Sequence, residues 1–299
     1  MPRQIYTGRL ARIVPAFVIL PLAGVPASSD VGSLGRIEWA ASSVESLAAP
    51  FASADELLDA LETADAGIDT LRSPIVYRKF FAIQSDEQRR SGTLYFQTER
   101  GDQPDAARAT RRFAVSFDEL SVSDRREKID QQYAFDGEWV VEKTPSDRQF
   151  TKRQVVPPGE DFDPLRIGEG PFPVPVGQRK ADILERFDAE LRPADDNLTD
   201  PMLRALVKAK GLIQLRLTPK PGTAESRDFE QIRIWYEPDG NLLPRIARTV
   251  TPIGDESEVV LLKPVVNEPI DAEIFSTRTP PPEEGWNISI SDFREPIQD

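Results

Sequence analysis

The sequence predicts an α+β protein built around one large antiparallel sheet, and three observations carry that expectation. From Pro74 onward, apolar and polar residues alternate through run after run, the period of half-buried strands. The connections between runs are short, which favours antiparallel neighbours, because parallel pairs need long crossovers. Ahead of them lies one segment with helical spacing instead. With about eight or more strands and few helical segments, the sheet has to curl or close in order to bury one face.

The helix comes first. Ser53 and Glu56 stand three residues apart as a capping-box pair. Leu57, Leu61, Ala64, Ile68 and Leu71 then recur at helical spacing, and Gly67 ends or bends the helix. The strands PIVYRKFFAIQ (74–84), SGTLYFQTE (91–99) and RRFAVSF (111–117) follow. In the first, Ile75, Tyr77, Phe81 and Ile83 share a face, with Lys79 out of pattern. In the third, Phe113, Val115 and Phe117 oppose Arg112, Ala114 and Ser116. The ribbon YAFDGEWVVEKTPSDRQFTKRQV (133–155) holds two runs around Asp136-Gly137, a break at Pro145-Ser146-Asp147, and a third run. A two-residue turn pairs Trp139 with Ala134, whereas a bulged loop, the expected one here, pairs it with Tyr133.

Two insertions interrupt the meander, near 99–111 and at 157–178. The second is rich in proline and glycine, and so long a loop in a compact domain is often functional. A short helix is expected over 180–185, a strand at FDAELR, and a helical turn at MLRALVKAK. The last third returns to strands: GLIQLRLTPK, DFEQIRIWYEPDGNLLPRIARTV with a turn at Asp239-Gly240, and ESEVVLLKPVV. Ile232, Ile234 and Tyr236 share one parity, and Arg233 and Trp235 the other.

The N-terminus reads as an export signal over residues 1–27. Arg3, Arg9 and Arg12 precede the apolar core IVPAFVILPLA, and Val25-Pro26-Ala27 supplies small residues at the cleavage site. The core is short of the roughly 20 residues a membrane span needs, and no Cys follows it to carry a lipid anchor. The expectation is a soluble, periplasmic chain with a flexible lead-in over 28–52 and a single domain over 53–299. Removal of the leader takes away three arginines and leaves the chain more acidic still than its net charge of -13. That charge disfavours nucleic acid and anionic lipid surfaces as partners.

The chain has no His and no Cys, which excludes thiol nucleophiles, imidazole bases and the usual zinc sites. The acidic positions Asp161, Asp163 and Glu169 do not fit a calcium loop, and IGEGPFPVPVG lacks the lysine and helix start of a phosphate loop. Neither a cofactor nor a metal is expected, and no catalytic constellation is present.

The order of motifs resembles the LolA family of periplasmic lipoprotein carriers. The matching pieces are the helix DELLDALETADAGIDTLRS, the strands SGTLYFQ and RFAVSF, and the hairpin FDGEWVVEKTPSDRQF. They continue with IQLRLTPK, FEQIRIWYEPDGNLLPRI and VVNEPIDAEIFSTRTPPPEEGW, over residues 55 to 286. The family's Arg-Pro pair after the SGTLYFQ strand is missing. Thr98 stands at the aligned position, with Arg100 and Arg111 nearby as substitutes.

The resemblance implies a curved, incomplete β-barrel with helices as a lid over an apolar cavity for acyl chains. The positions it points to for lipid contact are Tyr77, Phe81 and Ile83, then Leu94 and Phe96, then Phe113, Val115 and Phe117, and in the ribbon Trp139 and Val141. The lid positions are Leu57, Leu61 and Ile68. An apolar strand face is ordinarily plain core, so each position stands as core or ligand contact. The implied function is a monomeric carrier of acyl lipid or lipoprotein, served by a membrane-bound donor or acceptor protein. The alternatives are a sensor or interaction module on the same fold and, last, an enzyme.

Overall fold

The computed structural model describes residues 50–65, 67–99, 110–122, 125–156 and 179–292. The expected signal peptide, nearly all of the expected lead-in, the 157–178 insertion and Arg100 lie outside the described residues. All described residues fall within one compact unit, Ala48–Asp299.

The expected capping box is present. Helix α1 (Ala54–Asp65) starts where the Glu56 amide donates to Ser53 Oγ, and the Glu56 carboxylate accepts from the Ala52 amide at 2.8 Å. The helix is shorter than its apolar spacing predicts. Ile68 falls beyond it, and Leu71 belongs to the first strand. The Asn267 side chain explains the stop, because it accepts from the Asp69 amide and donates to the Gly67 carbonyl, drawing the chain into extended form.

The first half of the sheet is a meander of β1 (Thr70–Phe81), β2 (Asp86–Glu99), β3 (Thr110–Val122), β4 (Arg125–Phe135), β5 (Trp139–Thr144) and β6 (Gln149–Gln154). The second comprises α2 (Lys180–Arg186), β7 (Phe187–Arg192), α3 (Pro201–Lys210), β8 (Ile213–Pro219), α4 (Glu225–Asp228), β9 (Gln231–Tyr236), β10 (Pro244–Val250) and β11 (Glu256–Leu261). Two short strands end the chain, β12 (Val265–Val266) and β13 (Asn287–Ser291). Antiparallel pairing of β1 with β11 joins the halves, giving the order β13-β6-β5-β4-β3-β2-β1-β11-β10-β9-β8-β7. The sheet is curved and unclosed, with β7 at one end and at the other β13, whose pairing with β6 is the one parallel pairing among the described strands. Pro74 sits where β1 exchanges its β12 partner for β11, so its missing N–H interrupts no continuous ladder.

Alternation along the strands divides the apolar residues between two faces. On the inner face of β1–β4, Leu71, Ile75, Leu94, Phe96, Phe113, Val115, Phe117 and Phe135 form one cluster, closed over by Ile68, Val156 and Leu243. On the inner face of β7–β10, Leu215, Leu217, Ile232 and Ile234 are covered by Leu57 and Leu58 of α1 and Ile183 of α2. On the outer face there, Trp235, Ile246 and Val260 meet Leu203 and Val207 of α3. The opposite parities of Ile234 and Trp235 are therefore as the alternation predicts. Helix α3 is held by the Asp200 carboxylate, which accepts from the Met202 amide at 2.7 Å, and ends at Gly211 in the left-handed region.

The helices cover one part of the inner face. Leu57 and Leu61 pack over the β7–β10 half, away from the β1–β4 inner face, while Ile68 is core beneath the first strands. The reason is distance along the chain: α1 ends five residues before β1, and its apolar stripe finds β8 and β9 instead.

Candidate functional site

The inner face of β1–β4 changes character along its length. Near Leu71 and Phe96 it is sealed, and toward Phe81 it opens into a cleft of about 270 Å³. Its walls are Tyr77, Lys79 and Phe81 of β1, Gln88 and Arg90 of β2, Phe117 of β3 and Tyr133 of β4.

A glycine lets the cleft's aromatic wall close up. Gly92 lies opposite Ile75 on one side and Phe117 on the other, at a register shift between Ser91 and Gly92. A Cβ there would meet the Ser116 carbonyl oxygen at 1.9 Å and the Phe117 Cα at 2.8 Å, so no other residue fits without backbone movement. A second register shift follows Phe117 in its pairing with β4. Bulges of this kind bend a strand and increase its twist. With no side chain at Gly92, Tyr77 and Phe117 approach across the intervening strand to 6.2 Å between ring centroids. Phe117 in turn meets the Tyr133 ring edge-on, also at 6.2 Å. This aromatic file is the wall of the cleft, and it continues into the core through the stacked pair Phe113 and Phe135.

The polar groups are of two kinds. Tyr133 is held: its hydroxyl donates to Glu142 at 3.0 Å and accepts from Gln131 at 2.8 Å. Burial and the Glu142 carboxylate push its phenol well above the ordinary range. The cations are less engaged. Lys79 Nζ lies 4.9 Å from the centroid of the Phe81 ring, and Arg90 donates to Gln88 Oε1 at 3.4 Å.

Of the residues the sequence points to, Tyr77, Phe81 and Phe117 line the cleft. Leu94, Phe96, Phe113 and Val115 lie deeper on the same face at 1–2% exposure, packed as core. Three are placed elsewhere. Ile83 is 78% exposed, because β1 ends at Phe81 and the chain turns through Ser85 in the left-handed region. Trp139 and Val141 lie on the outer face. Phe135 pairs with Val140 and Ala134 with Val141, while the Asp136 amide donates to the Trp139 carbonyl, closing a loop over Gly137-Glu138. This register corrects the expected pairing of Trp139 with Tyr133. The Asp136 carboxylate explains it by accepting from the amides of Glu138 and Trp139, tightening the loop, with Gly137 at a φ of 111°. Trp139 then lies under Lys152, and Val141 lines a separate outer groove of about 230 Å³ beside Glu273 and Ile274.

Sequence reasoning missed Arg90 and Tyr133. The signal for Arg90 was hidden, since β2 begins at Asp86 within a run of charged residues that reads as a turn. Thr98 donates its amide to the Asp69 carbonyl and pairs with Arg111 across the β2–β3 ladder. Among the described residues, no group of three or more His, Cys, Asp or Glu could hold a metal ion. No helix among them is long and apolar enough to cross a membrane.

No protein-family model matches this chain, and no curated protein matches it significantly. Solved structures do resemble it. An uncharacterized conserved protein from Thermus thermophilus aligns with 80% of this chain and 99% of its own at 11% identity and a TM-score of 0.40. A LolA superfamily protein from Nitrosomonas europaea aligns with 76% of this chain and 99% of its own at 11% identity and a TM-score of 0.31. A chain of the Pseudomonas aeruginosa MucA/MucB complex covers 75% of this chain and 61% of its own at 12% identity and a TM-score of 0.37. At scores this low the likeness is one of outline, an open curved sheet, and says nothing of ligands.

Proposed function

We propose that this protein is an exported acyl-lipid carrier that takes hydrocarbon into the cleft between β1 and β4. The observation that supports this most is the aromatic file Tyr77, Phe117 and Tyr133, which faces open volume on the same sheet surface that elsewhere is sealed core. Each methylene transferred there from water contributes about 0.8 kcal/mol, so a chain segment binds without any catalytic group. The volume of about 270 Å³ falls just under the range of about 300–1,000 Å³ usual for small-molecule pockets. That fits one chain segment better than the several chains of a lipoprotein. The leader expected over residues 1–27 from its arginines and apolar core accords with delivery outside the cytoplasm.

Native mass spectrometry of the purified chain, before and after organic extraction, tests the proposal. The expected result is an adduct with the mass of an acyl lipid that extraction removes. A protein that is reproducibly free of lipid and takes up no fluorescent fatty acid would overturn it and leave the protein-interaction module as the better reading.

A further inference from the structure

The cleft sets aromatic rings beside two cations, whereas the buried arginines elsewhere in the sheet are paired with carboxylates. Arg78, one residue before Lys79 and on the outer face, is gripped by Glu87, Glu256 and Glu258 at 3.0–3.3 Å. Against the pull of burial, those carboxylates hold its guanidinium more firmly protonated than usual. Arg248 and Arg245, both buried, likewise meet Glu258 and Glu237. Lys79 and Arg90 have no carboxylate within ion-pair distance among the described residues. This holds even though the chain has 50 acidic residues against 37 basic ones.

Register explains why the two cations are neighbours. Lys79 pairs with Gln88, and Tyr77 with Arg90, so Lys79 and Arg90 are diagonal across β1 and β2 on the inner face. The residues directly opposite them on the outer flanks are neutral, Ser257 facing Lys79 on β11 and Leu120 facing Arg90 on β3, and Asp86, the other diagonal neighbour of Lys79 on β2, makes no ion pair with it. The nearby Glu142 already accepts from Tyr133 and Gln131. Two like charges side by side in a half-buried cleft repel one another, and each is partly stripped of water. An anion between them would relieve both costs.

We infer that Lys79 and Arg90 form a headgroup site for a single-chain amphiphile ending in a carboxylate, its tail lying along Tyr77 and Phe117. This rests on the carrier reading and sharpens it from acyl lipid in general to a long-chain carboxylic acid. A carboxylate suits the pair, since Arg offers a planar fork of donors and Lys a compact charge. The small volume of the cleft leaves no room for a bulky head.

Binding of three ligands with the same tail to the full chain, delipidated on hydrophobic resin, tests the inference by calorimetry: tetradecanoate, tetradecanol and tetradecyl phosphate. The carboxylate is expected to bind tightest, and at least about tenfold more tightly than the alcohol, equivalent to about 1.4 kcal/mol. Lys79→Gln and Arg90→Gln should each shrink that ratio while leaving alcohol binding unchanged. Equal binding of carboxylate and alcohol overturns the headgroup site but leaves the carrier standing. Tighter binding of the phosphate overturns the choice of carboxylate. Binding of none of the three removes the carrier reading itself. Should either variant fail to fold, the comparison of ligands on the unaltered chain still decides.

Discussion

Tyr77 and Phe117 touch across a strand that separates them, their ring centroids 6.2 Å apart over the bare backbone of Gly92. The contact depends on a missing side chain. It shapes the cleft wall, because rings that would otherwise stand apart lean together.

Gly92→Ala should therefore be costly although it adds one methyl group. The new Cβ would strike the Ser116 carbonyl, which belongs to the β3 backbone and has no rotamer with which to move aside. Overpacking of this kind costs about 1–3 kcal/mol, and a backbone clash belongs at the upper end. A urea denaturation midpoint equal to that of the unaltered chain would contradict the geometry.

Core and cleft positions should separate cleanly under mutation. Phe113, 1% exposed and stacked on Phe135, should lose about 3–5 kcal/mol on change to Ala. Ile83→Ser, at an exposed turn, should stay within about 0.5 kcal/mol. Phe81→Ala should leave the thermal midpoint close to its original value yet weaken fatty-acid uptake, because Phe81 lines the opening. Loss of folding in Phe81→Ala with uptake intact in the residual folded fraction would make that residue core.

Acid should loosen α3 through Glu237. This carboxylate accepts from Lys210 at the end of α3 at 3.0 Å and from the buried Arg245 of β10. Burial alone would raise its pKa, but the hydrogen bonds from Lys210 and Arg245 outweigh that and hold it below the usual carboxylate range. A lowered folded-state pKa means that the stabilisation is complete above the ordinary value and fades as pH falls through the lowered one. Glu237→Gln should destabilise the protein at neutral pH and flatten the acid limb of its stability profile. An unchanged limb would assign that slope to other carboxylates.

Alkaline titration should move stability the opposite way. Tyr133 is pushed up by burial and Glu142, and Tyr236 by burial alone. Folded chains keep these phenols protonated at pH values where unfolded chains release them, so stability falls as pH rises beyond about 10. Phenolate absorbance should show two tyrosines ionising only with global unfolding. Smooth ionisation of all tyrosines before unfolding would contradict their placement.

The sequence made the elements legible where the cause was local. The Ser53 and Glu56 pair, the break at Pro145, and the parity of Ile234 against Trp235 all depend on neighbours within a few residues. It hid what depended on distant partners. The face of Trp139 turns on how tightly Asp136 closes its loop, and the stop after α1 depends on Asn267. The cleft itself was half legible: Lys79 breaks an apolar parity in plain view, but only the pairing with β2 brings Arg90 beside it. The parallel strand β13 carried little signal, since NISIS alternates over only five residues.

The joint between β1 and β11, and the meeting of β6 with β13, tie early residues to late ones; the Asp69 amide finds its acceptor 198 positions onward. A nascent chain can zip β1 through β6 as it emerges, yet both flanks of that ribbon stay bare until synthesis is almost finished. Non-local closure of this sort is slow, and in the interval the greasy side of the ribbon is open to chaperones and to aggregation alike.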